Sequence, residues 1–286
     1  MTLTSFDRDG LVFDVTDTAG EGSPGSDGPE GQVAGTVVLL HGFPADRDCW
    51  TEVCRPLTAA GLRTLAPEQR GYSPGARPAG RAAYRIEELV ADVVALIDAA
   101  GVDRVHLVGH DWGGAVAWAV AGTHPDRLAS LTVLSTPHPA ALARAYRTWW
   151  QARHSAYMAW FQLPWLPEAT FARTFPAGLR RSGLPEAVLQ RYLRRMEEPG
   201  RLTASLGWYR AMGSSAGTMH RCKVPTTFVW GRHDAFLGRV AAEATGDLVR
   251  ADYRFVELDE GHWLPEVAPG RCAEEILERV RSTTSS

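Results

Sequence analysis

The sequence predicts an α/β protein in which a mostly parallel β-sheet is covered by helices on both faces. Short apolar runs typical of buried strands alternate along the 286-residue chain with segments of helical spacing. A glycine-rich turn at residues 109–114 joins one of these strands to a helix-compatible run. Between residues 137 and 220 the alternation stops, and a stretch rich in Trp and Tyr takes its place. These observations favour one α/β core interrupted by a helical insertion.

The core elements follow one another in regular order. Seven strands are predicted, at residues 11–15, 37–40, 62–67, 105–108, 128–134, 226–230 and 253–258. Residues 84–100 carry apolar side chains at helical spacing, and a closing helix is predicted over residues 270–281. Residues 17–35 are rich in Gly, Ser, Pro and acidic side chains, so we expect a surface loop there.

The insertion is predicted to be a helical cap. Because it follows the strand at residues 128–134, it should lie over the carboxyl ends of the strands, where open α/β sheets bind ligands. The predicted division of the chain is 1–136 for the first part of the core, 137–220 for the cap and 221–286 for the second part of the core.

Composition and charge exclude several classes of function. The net charge is −3 and no basic run suggests nucleic-acid binding. No apolar run reaches the roughly 18 residues of a membrane helix, and no signal peptide is recognisable. The four cysteines form no Cys-x-x-Cys pair, which favours reduced thiols and a cytoplasmic location. No spacing suits a metal site, and we expect no cofactor and a monomer or homodimer.

The candidate nucleophile is Asp111. The segment Gly109-His110-Asp111-Trp112-Gly113-Gly114 follows an apolar strand and precedes a helix, which is the G-x-S-x-G nucleophile elbow with aspartate at the serine position. Small residues on either side of the apex allow the sharp turn. A carboxylate attacks carbon directly and forms an alkyl ester, whereas a serine would be acylated.

Candidates for the base and its acid follow two later strands. His262 comes after the last strand, and an imidazole with an ordinary pKa near 6.5 can accept a proton from water at neutral pH. Asp234 follows the strand at residues 226–230 and would hold one tautomer of His262. The order Asp111, Asp234, His262 favours Asp234 over the rival Glu260, which lies two residues before the histidine.

The backbone N–H groups of Phe43 and Trp112 are the candidate oxyanion hole. Phe43 lies in His41-Gly42-Phe43-Pro44, directly after a buried strand, and a cis peptide at Pro44 would help to turn the Phe43 amide inward. His110 and His233 adjoin the site in sequence, and we interpret both as structural residues.

The motifs together resemble the α/β-hydrolase superfamily, specifically the epoxide hydrolase branch with its haloalkane dehalogenase relatives. They are His41-Gly42-Phe43-Pro44, the elbow, Gly261-His262-Trp263 and, in part, Arg70-Gly71-Tyr72-Ser73-Pro74. Gly75 departs from the Ser or Thr that the family often has after this last motif. The resemblance covers nearly the whole chain. It implies an α/β-hydrolase fold with an eight-stranded, mostly parallel sheet and a cap inserted after the sixth strand.

The resemblance also implies an activity, the hydrolysis of an epoxide to a vicinal diol. Similar epoxide hydrolases protonate the epoxide oxygen with two cap tyrosines, matched here by Tyr157, ahead of Phe161-Gln162-Leu163-Pro164, and by Tyr209, in Trp208-Tyr209-Arg210. A phenol can donate to a developing alkoxide while staying neutral at pH 7. The residues expected to bind a hydrophobic small-molecule epoxide are Trp112, Phe43, Trp160, Trp208, Pro137 and Trp263.

Two alternatives stay open at this stage. A haloalkane dehalogenase would use the same Asp111 chemistry, with N–H donors for halide from Trp112 and from a cap tryptophan such as Trp149 or Trp165. A non-catalytic ligand-binding protein could also use this fold, because a fold does not fix a function. The complete set of Asp111, Asp234 and His262 argues against the second alternative.

Overall fold

The computed structural model describes residues 2–18, 35–212 and 220–284. Eight strands form one sheet, in the order β1-β2-β4-β3-β5-β6-β7-β8. The strands are β1 Ser5–Arg8, β2 Leu11–Thr18, β3 Thr36–Leu40, β4 Arg63–Pro67, β5 Val105–His110, β6 Leu128–Leu134, β7 Thr226–Gly231 and β8 Tyr253–Leu258.

The sheet is parallel from β4 to β8, whereas β1 and β2 pair antiparallel at one edge. This arrangement confirms the predicted eight-stranded, mostly parallel sheet. The strand β1 was missing from the strands predicted by pattern, and β2 extends through Asp17 and Thr18, which were assigned to a loop. The side chain of Asp17 accepts hydrogen bonds from Arg63. Residues 19–34 of that predicted loop lie outside the described residues.

Helices cover both faces of the sheet. They are α1 Thr51–Ala59, α2 Ile86–Ala99, α3 Trp112–Thr123, α4 Pro139–Ala145, α5 Trp149–His154, α6 Tyr157–Phe161, α7 Leu166–Arg181, α8 Glu186–Met196, α9 Arg201–Ala211, α10 Arg239–Ala244, α11 Leu264–Val267 and α12 Pro269–Thr284. Short 3-10 turns lie at Arg47–Trp50, Arg81–Tyr84, Pro125–Arg127 and Gly246–Leu248.

Alternate residues of each central strand belong to different halves of the core. In β3, Val38 and Leu40 pack with residues of α2 and α3, whereas Val37 and Leu39 pack with residues of α1 and α12. Successive side chains of a strand point to opposite faces, so an uninterrupted apolar run is needed when both faces are covered. The central strands could therefore be predicted from the sequence.

Helices α4 to α9 lie between β6 and β7, so the insertion follows the sixth strand as predicted. Helix α9 is fixed to the core by the indole N–H of Trp208, which donates to the carbonyl of Arg70 (2.8 Å). The fully buried guanidinium of Arg201 forms an ion pair with Glu68 (2.7 Å). The domain boundaries themselves stay a prediction, and residues 213–219 lie outside the described part of the chain. Within the described ranges, no helix is both long and apolar enough to span a bilayer.

Candidate active site

Asp111 lies at the corner between β5 and α3, with a positive φ of 51°. Non-glycine residues rarely adopt this conformation, which costs of order 1–3 kcal/mol and is concentrated at functional sites. The corner is possible because glycines allow the backbone to approach itself closely. A Cβ on Gly109 would lie 2.3 Å from the carbonyl oxygen of Gly113, and one on Gly113 would lie 2.1 Å from that of Leu40. The sequence pattern therefore folds as the predicted elbow.

The carboxylate of Asp111 faces the loop that follows β3. Its Oδ1 accepts a hydrogen bond from the amide N–H of Phe43 (2.7 Å), and the Phe43–Pro44 peptide is cis, as predicted. Gly42 makes room for the nucleophile, since a Cβ there would lie 2.3 Å from the Cβ of Asp111. Trp112 is the first residue of α3, and the first N–H groups of a helix have no acceptor within the helix. Its amide therefore stays, with that of Phe43, the predicted donor to a ligand oxygen.

His262 lies between Asp234, to which it is hydrogen-bonded, and Asp111, with which it forms an ion pair. The Nδ1 of His262 lies 2.7 Å from Oδ2 of Asp234, and its Nε2 lies 3.5 Å from Oδ2 of Asp111. Asp234 is itself oriented by the amide N–H groups of Phe236 (2.8 Å) and Leu237 (3.0 Å), which donate to its Oδ1. In space the imidazole thus lies between the acid and the nucleophile, as was expected from the order of the three residues in the sequence.

The charges of His262 and Asp111 shift the pKa of each other. Burial opposes a charge on His262, but the carboxylates of Asp234 and Asp111 outweigh it and raise its pKa to about 10. Burial likewise opposes ionisation of Asp111, but the His262 side chain outweighs it and lowers the pKa of Asp111. In the resting site His262 is therefore an imidazolium between two carboxylates. The sequence-based expectation used the ordinary histidine pKa near 6.5, because the distance to a second carboxylate cannot be predicted from the sequence.

A cavity of about 290 Å³ opens above Asp111, between the sheet and the cap. Its lining is largely apolar, with Ile86 and Leu89 on the core side and Leu142 and Met158 on the cap side. Asp111 is the one ionised side chain among the described residues of this lining. Such a cavity suits a small, mostly apolar ligand presented to one carboxylate.

Tyr157 and Tyr209 form part of the cavity wall together with Asp111. Tyr157 begins α6 and Tyr209 lies near the end of α9, and their ring centroids are 6.1 Å apart. Burial raises the pKa of both phenols, and the negative charge of Asp111 raises each further. Both are neutral hydroxyl donors at neutral pH, so the cavity combines one carboxylate with two proton donors.

Only three of the six residues predicted to bind substrate line the cavity. Trp112, Trp208 and Pro137 line the cavity. Phe43 lies behind its wall, with its ring packed edge-on against Tyr209 at 5.3 Å. Trp160 and Trp263 do not line it, and we leave them out of the proposed substrate site.

The two excluded tryptophans differ in their surroundings. Trp160 lies on the surface of α6 with 37% of its area exposed. Trp263 is buried beside His262, and its indole N–H donates to the hydroxyl of Ser182 (2.9 Å). A tryptophan in the cap or next to the base is therefore not by itself evidence of substrate contact.

Sequence reasoning missed three aromatic residues of the cavity, Tyr84, Tyr146 and Phe236. Tyr146 was not among the predicted site residues, yet it lines the cavity. Phe236 also lines it, and its ring packs against the imidazole of His262 at 4.9 Å between centroids. The position of Phe236, two residues after the predicted acid, was a usable signal, whereas Tyr146 lies in no motif.

The two histidines interpreted as structural are both hydrogen-bonded. His110 is fully buried, and its Nε2 lies 2.9 Å from the carbonyl oxygen of His262. Burial lowers the pKa of His110 to about 4, so it is neutral and donates this bond. His233 is exposed and contacts Asp259. Among the residues that the structure describes, no group of His, Cys, Asp or Glu could hold a metal ion.

Comparisons with known proteins agree with this fold. A family model described as "alpha/beta hydrolase fold" matches residues 35–269. The AB hydrolase superfamily protein YfhM of Bacillus subtilis is 36% identical over 265 residues, covering 86% of this chain and 90% of that protein. Epoxide hydrolase A of Mycobacterium tuberculosis is 31% identical and covers 95% of each chain. The crystal structure of epoxide hydrolase A from Mycobacterium thermoresistibile superposes with a TM-score of 0.77, at 26% identity and with 97% of each chain covered.

Proposed function

Because this chain belongs to the α/β-hydrolase superfamily, on its epoxide hydrolase branch, we propose that it hydrolyses epoxides to vicinal diols through a covalent ester on Asp111. The observation that carries the proposal is the cavity itself. It holds one strained, ionised carboxylate and two neutral phenols on a common wall. Epoxide opening needs this pair of functions, a nucleophile for carbon and an acid for the departing oxygen.

In the first step, a carboxylate oxygen of Asp111 attacks an epoxide carbon and the C–O bond breaks. Tyr157 and Tyr209 donate to the ring oxygen, and one of them transfers its proton to it. The product is a hydroxyalkyl ester on the Asp111 carboxyl. The helix that starts at Trp112 favours a negative charge at its N-terminus, which keeps the nucleophile ionised before the attack.

In the second step, water attacks the carboxyl carbon of the ester. Esterification removes the charge of Asp111, so the pKa of His262 falls and the imidazolium releases its proton. This proton restores the one that the tyrosine gave to the product oxygen. Neutral His262, oriented by Asp234, then accepts a proton from the attacking water. The amides of Phe43 and Trp112 stabilise the oxyanion. Collapse of the tetrahedral intermediate breaks the ester bond, and the departing alkoxide takes the proton of the new carboxyl group. The diol leaves, and the Asp111 carboxylate again faces a protonated His262.

The haloalkane dehalogenase alternative finds less support. It requires a second N–H donor for halide beside Trp112. Trp149 and Trp165 are 79% and 71% exposed and do not line the cavity. Trp208 does line it, but its N–H donates to the carbonyl of Arg70. The ordered chain from Asp234 through His262 to Asp111 argues against a purely ligand-binding role.

The experiment that tests this function replaces each cavity tyrosine with Phe and measures diol formation from styrene oxide. Each of Tyr157→Phe and Tyr209→Phe should lower kcat about tenfold to a hundredfold, within the range that general acids contribute. The matched control is Tyr192→Phe, which removes a buried cap hydroxyl bonded to Glu266 away from the cavity. Full activity in both cavity variants, or faster turnover of 1-bromobutane than of styrene oxide, would contradict the proposal.

The apolar lining favours a hydrophobic substrate, so terminal, styrene-type and fused-ring epoxides should be preferred over charged ones. All four cysteines are free thiols, and the predicted cytoplasmic location stays a prediction. The predicted monomer or homodimer stays a prediction.

A further inference from the structure

Two consecutive residues at the carboxyl end of β6, Ser135 and Thr136, connect the backbone of the nucleophile to that of the base. β6 lies directly beside β5, which leads into Asp111, and its other neighbour is β7, which leads into Asp234. The dipeptide therefore sits between the two loops that carry the catalytic groups. Its hydroxyls take no part in the chemistry proposed above.

Ser135 is fully buried and has a φ of +65°. In this left-handed conformation its Oγ donates to the backbone carbonyl of His262 (2.7 Å), while its N–H donates to Val229 of β7 (2.8 Å). A non-glycine residue in this conformation is energetically costly and persists only where the surroundings enforce it. The strain thus accompanies a specific contact to the catalytic base.

Thr136 makes the corresponding contact to the nucleophile. Its Oγ1 donates to the backbone carbonyl of Asp111 (2.7 Å). Its own carbonyl accepts the indole N–H of Trp118 (2.9 Å), which holds the residue against α3. The second glycine after Trp112 leaves the space for it, because a Cβ on Gly114 would lie 2.8 Å from the Cβ of Thr136.

We propose that Ser135 and Thr136 are positioning residues that set the separation of Asp111 and His262, with Ser135 controlling hydrolysis of the ester and Thr136 controlling its formation. The inference rests on the proposed function, because only a two-step reaction can separate the two effects. Asp111 must be aligned to attack the epoxide, so Thr136 acts from the first step onward. His262 acts as a base only after the ester has formed, so loss of Ser135 should leave the first step intact.

Removing either hydroxyl should not unfold the protein, because neither carbonyl is left without a donor. The carbonyl of His262 also accepts from Nε2 of His110 (2.9 Å) and from the amide of Leu264 (3.0 Å). The carbonyl of Asp111 also accepts from the amide of Ala115 (3.1 Å). What changes is the placement of the catalytic groups, and small misplacements reduce rates strongly.

The test uses rapid quenching with styrene oxide and intact-protein mass to follow the ester, together with the rate of diol release. Ser135→Gly removes the hydroxyl without straining the positive φ. It should lower the hydrolysis rate constant about tenfold or more while leaving ester formation within about twofold, so that ester accumulates. Thr136→Val should lower the rate constant of ester formation about tenfold without accumulation, and Thr136→Ser should restore it.

Two controls make the outcomes distinct. Ser130→Ala removes another buried hydroxyl of β6, bonded to His106 and far from the cavity, and should leave the ratio of the two rate constants unchanged. His262→Gln should trap the ester. If His262→Gln forms ester but Ser135→Gly changes both steps equally or neither, the positioning role is overturned and the proposed function stands. If neither His262→Gln nor the wild type forms any ester, the proposed function falls and this inference with it.

Discussion

Replacing Asp111 with Asn should lower the pKa of His262 by several pH units. In the proposed reaction the base is protonated in the resting site and neutral once Asp111 is esterified. An amide at position 111 has nearly the size of the carboxylate and carries no charge, so it reproduces the charge state of the ester. The substitution therefore shows by itself how far the pKa of His262 falls when the charge at position 111 is lost, and hydrolysis of the ester depends on this fall.

The magnitude follows from the geometry. The Nε2 of His262 lies 3.5 Å from Oδ2 of Asp111. At an effective dielectric constant of ~20, two unit charges at this distance attract each other by about 5 kcal/mol, which corresponds to a pKa difference of roughly three to four. In the wild type the pKa of His262 is raised to about 10. In Asp111→Asn it should lie near 7, close to its ordinary value and suited to accept a proton from water.

The measurement is an NMR titration of the histidine ring nitrogens in the wild type and in Asp111→Asn. The chain has nine histidines, so the relevant resonance is the one missing from His262→Gln. Mass spectrometry verifies that the amide at position 111 persists during the titration. An activity assay verifies that the fresh variant does not turn over substrate. A wild-type imidazole that titrates near its ordinary pKa, or one that is unaffected by Asp111→Asn, would refute the reasoning.

Three further outcomes are expected. Gly113→Ala places a Cβ 2.1 Å from the carbonyl oxygen of Leu40, and it should lower the free energy of unfolding by about 3 kcal/mol or prevent folding, as measured by urea denaturation. Arg201→Met leaves Glu68 buried without its closest cation, and it should cost about 3–5 kcal/mol, part of which Glu68→Gln recovers in the double variant. Because the pKa of His262 is raised from 6.5 to about 10, its ion pairs contribute stability that is complete below pH 6.5 and is lost as the pH rises through 10. Unfolding energies measured from pH 7 to 10 should therefore fall more steeply in the wild type than in His262→Gln.

The fold was largely predictable because its central strands are buried on both faces. Their residues form short uninterrupted apolar runs, and these stand out from the helices between them. The strand β1 gave no such signal, since Phe6 is its one fully buried residue and its neighbours are polar. An edge strand of this kind is defined by its pairing with β2, which a local pattern does not show.

The triad was predictable for a related reason. Asp111, Asp234 and His262 each follow a strand, and the carboxyl ends of neighbouring parallel strands meet at one edge of the sheet. The cap offered no comparable rule. Trp160 and Trp208 both lie in cap helices, yet one is 37% exposed and the other 2%. Which face of a short helix turns inward depends on packing with distant segments, as does the contact of Ser135 with His262 across 127 positions.

The most direct test of the account is a single turnover of styrene oxide, with enzyme in excess, in water enriched in heavy oxygen. Covalent catalysis through Asp111 predicts that the heavy oxygen enters the carboxyl group of residue 111, where peptide mass spectrometry detects it, while the first diol released is unlabelled. Heavy oxygen found in that first diol, with none at position 111, would mean that water attacks the epoxide directly and would contradict the ester.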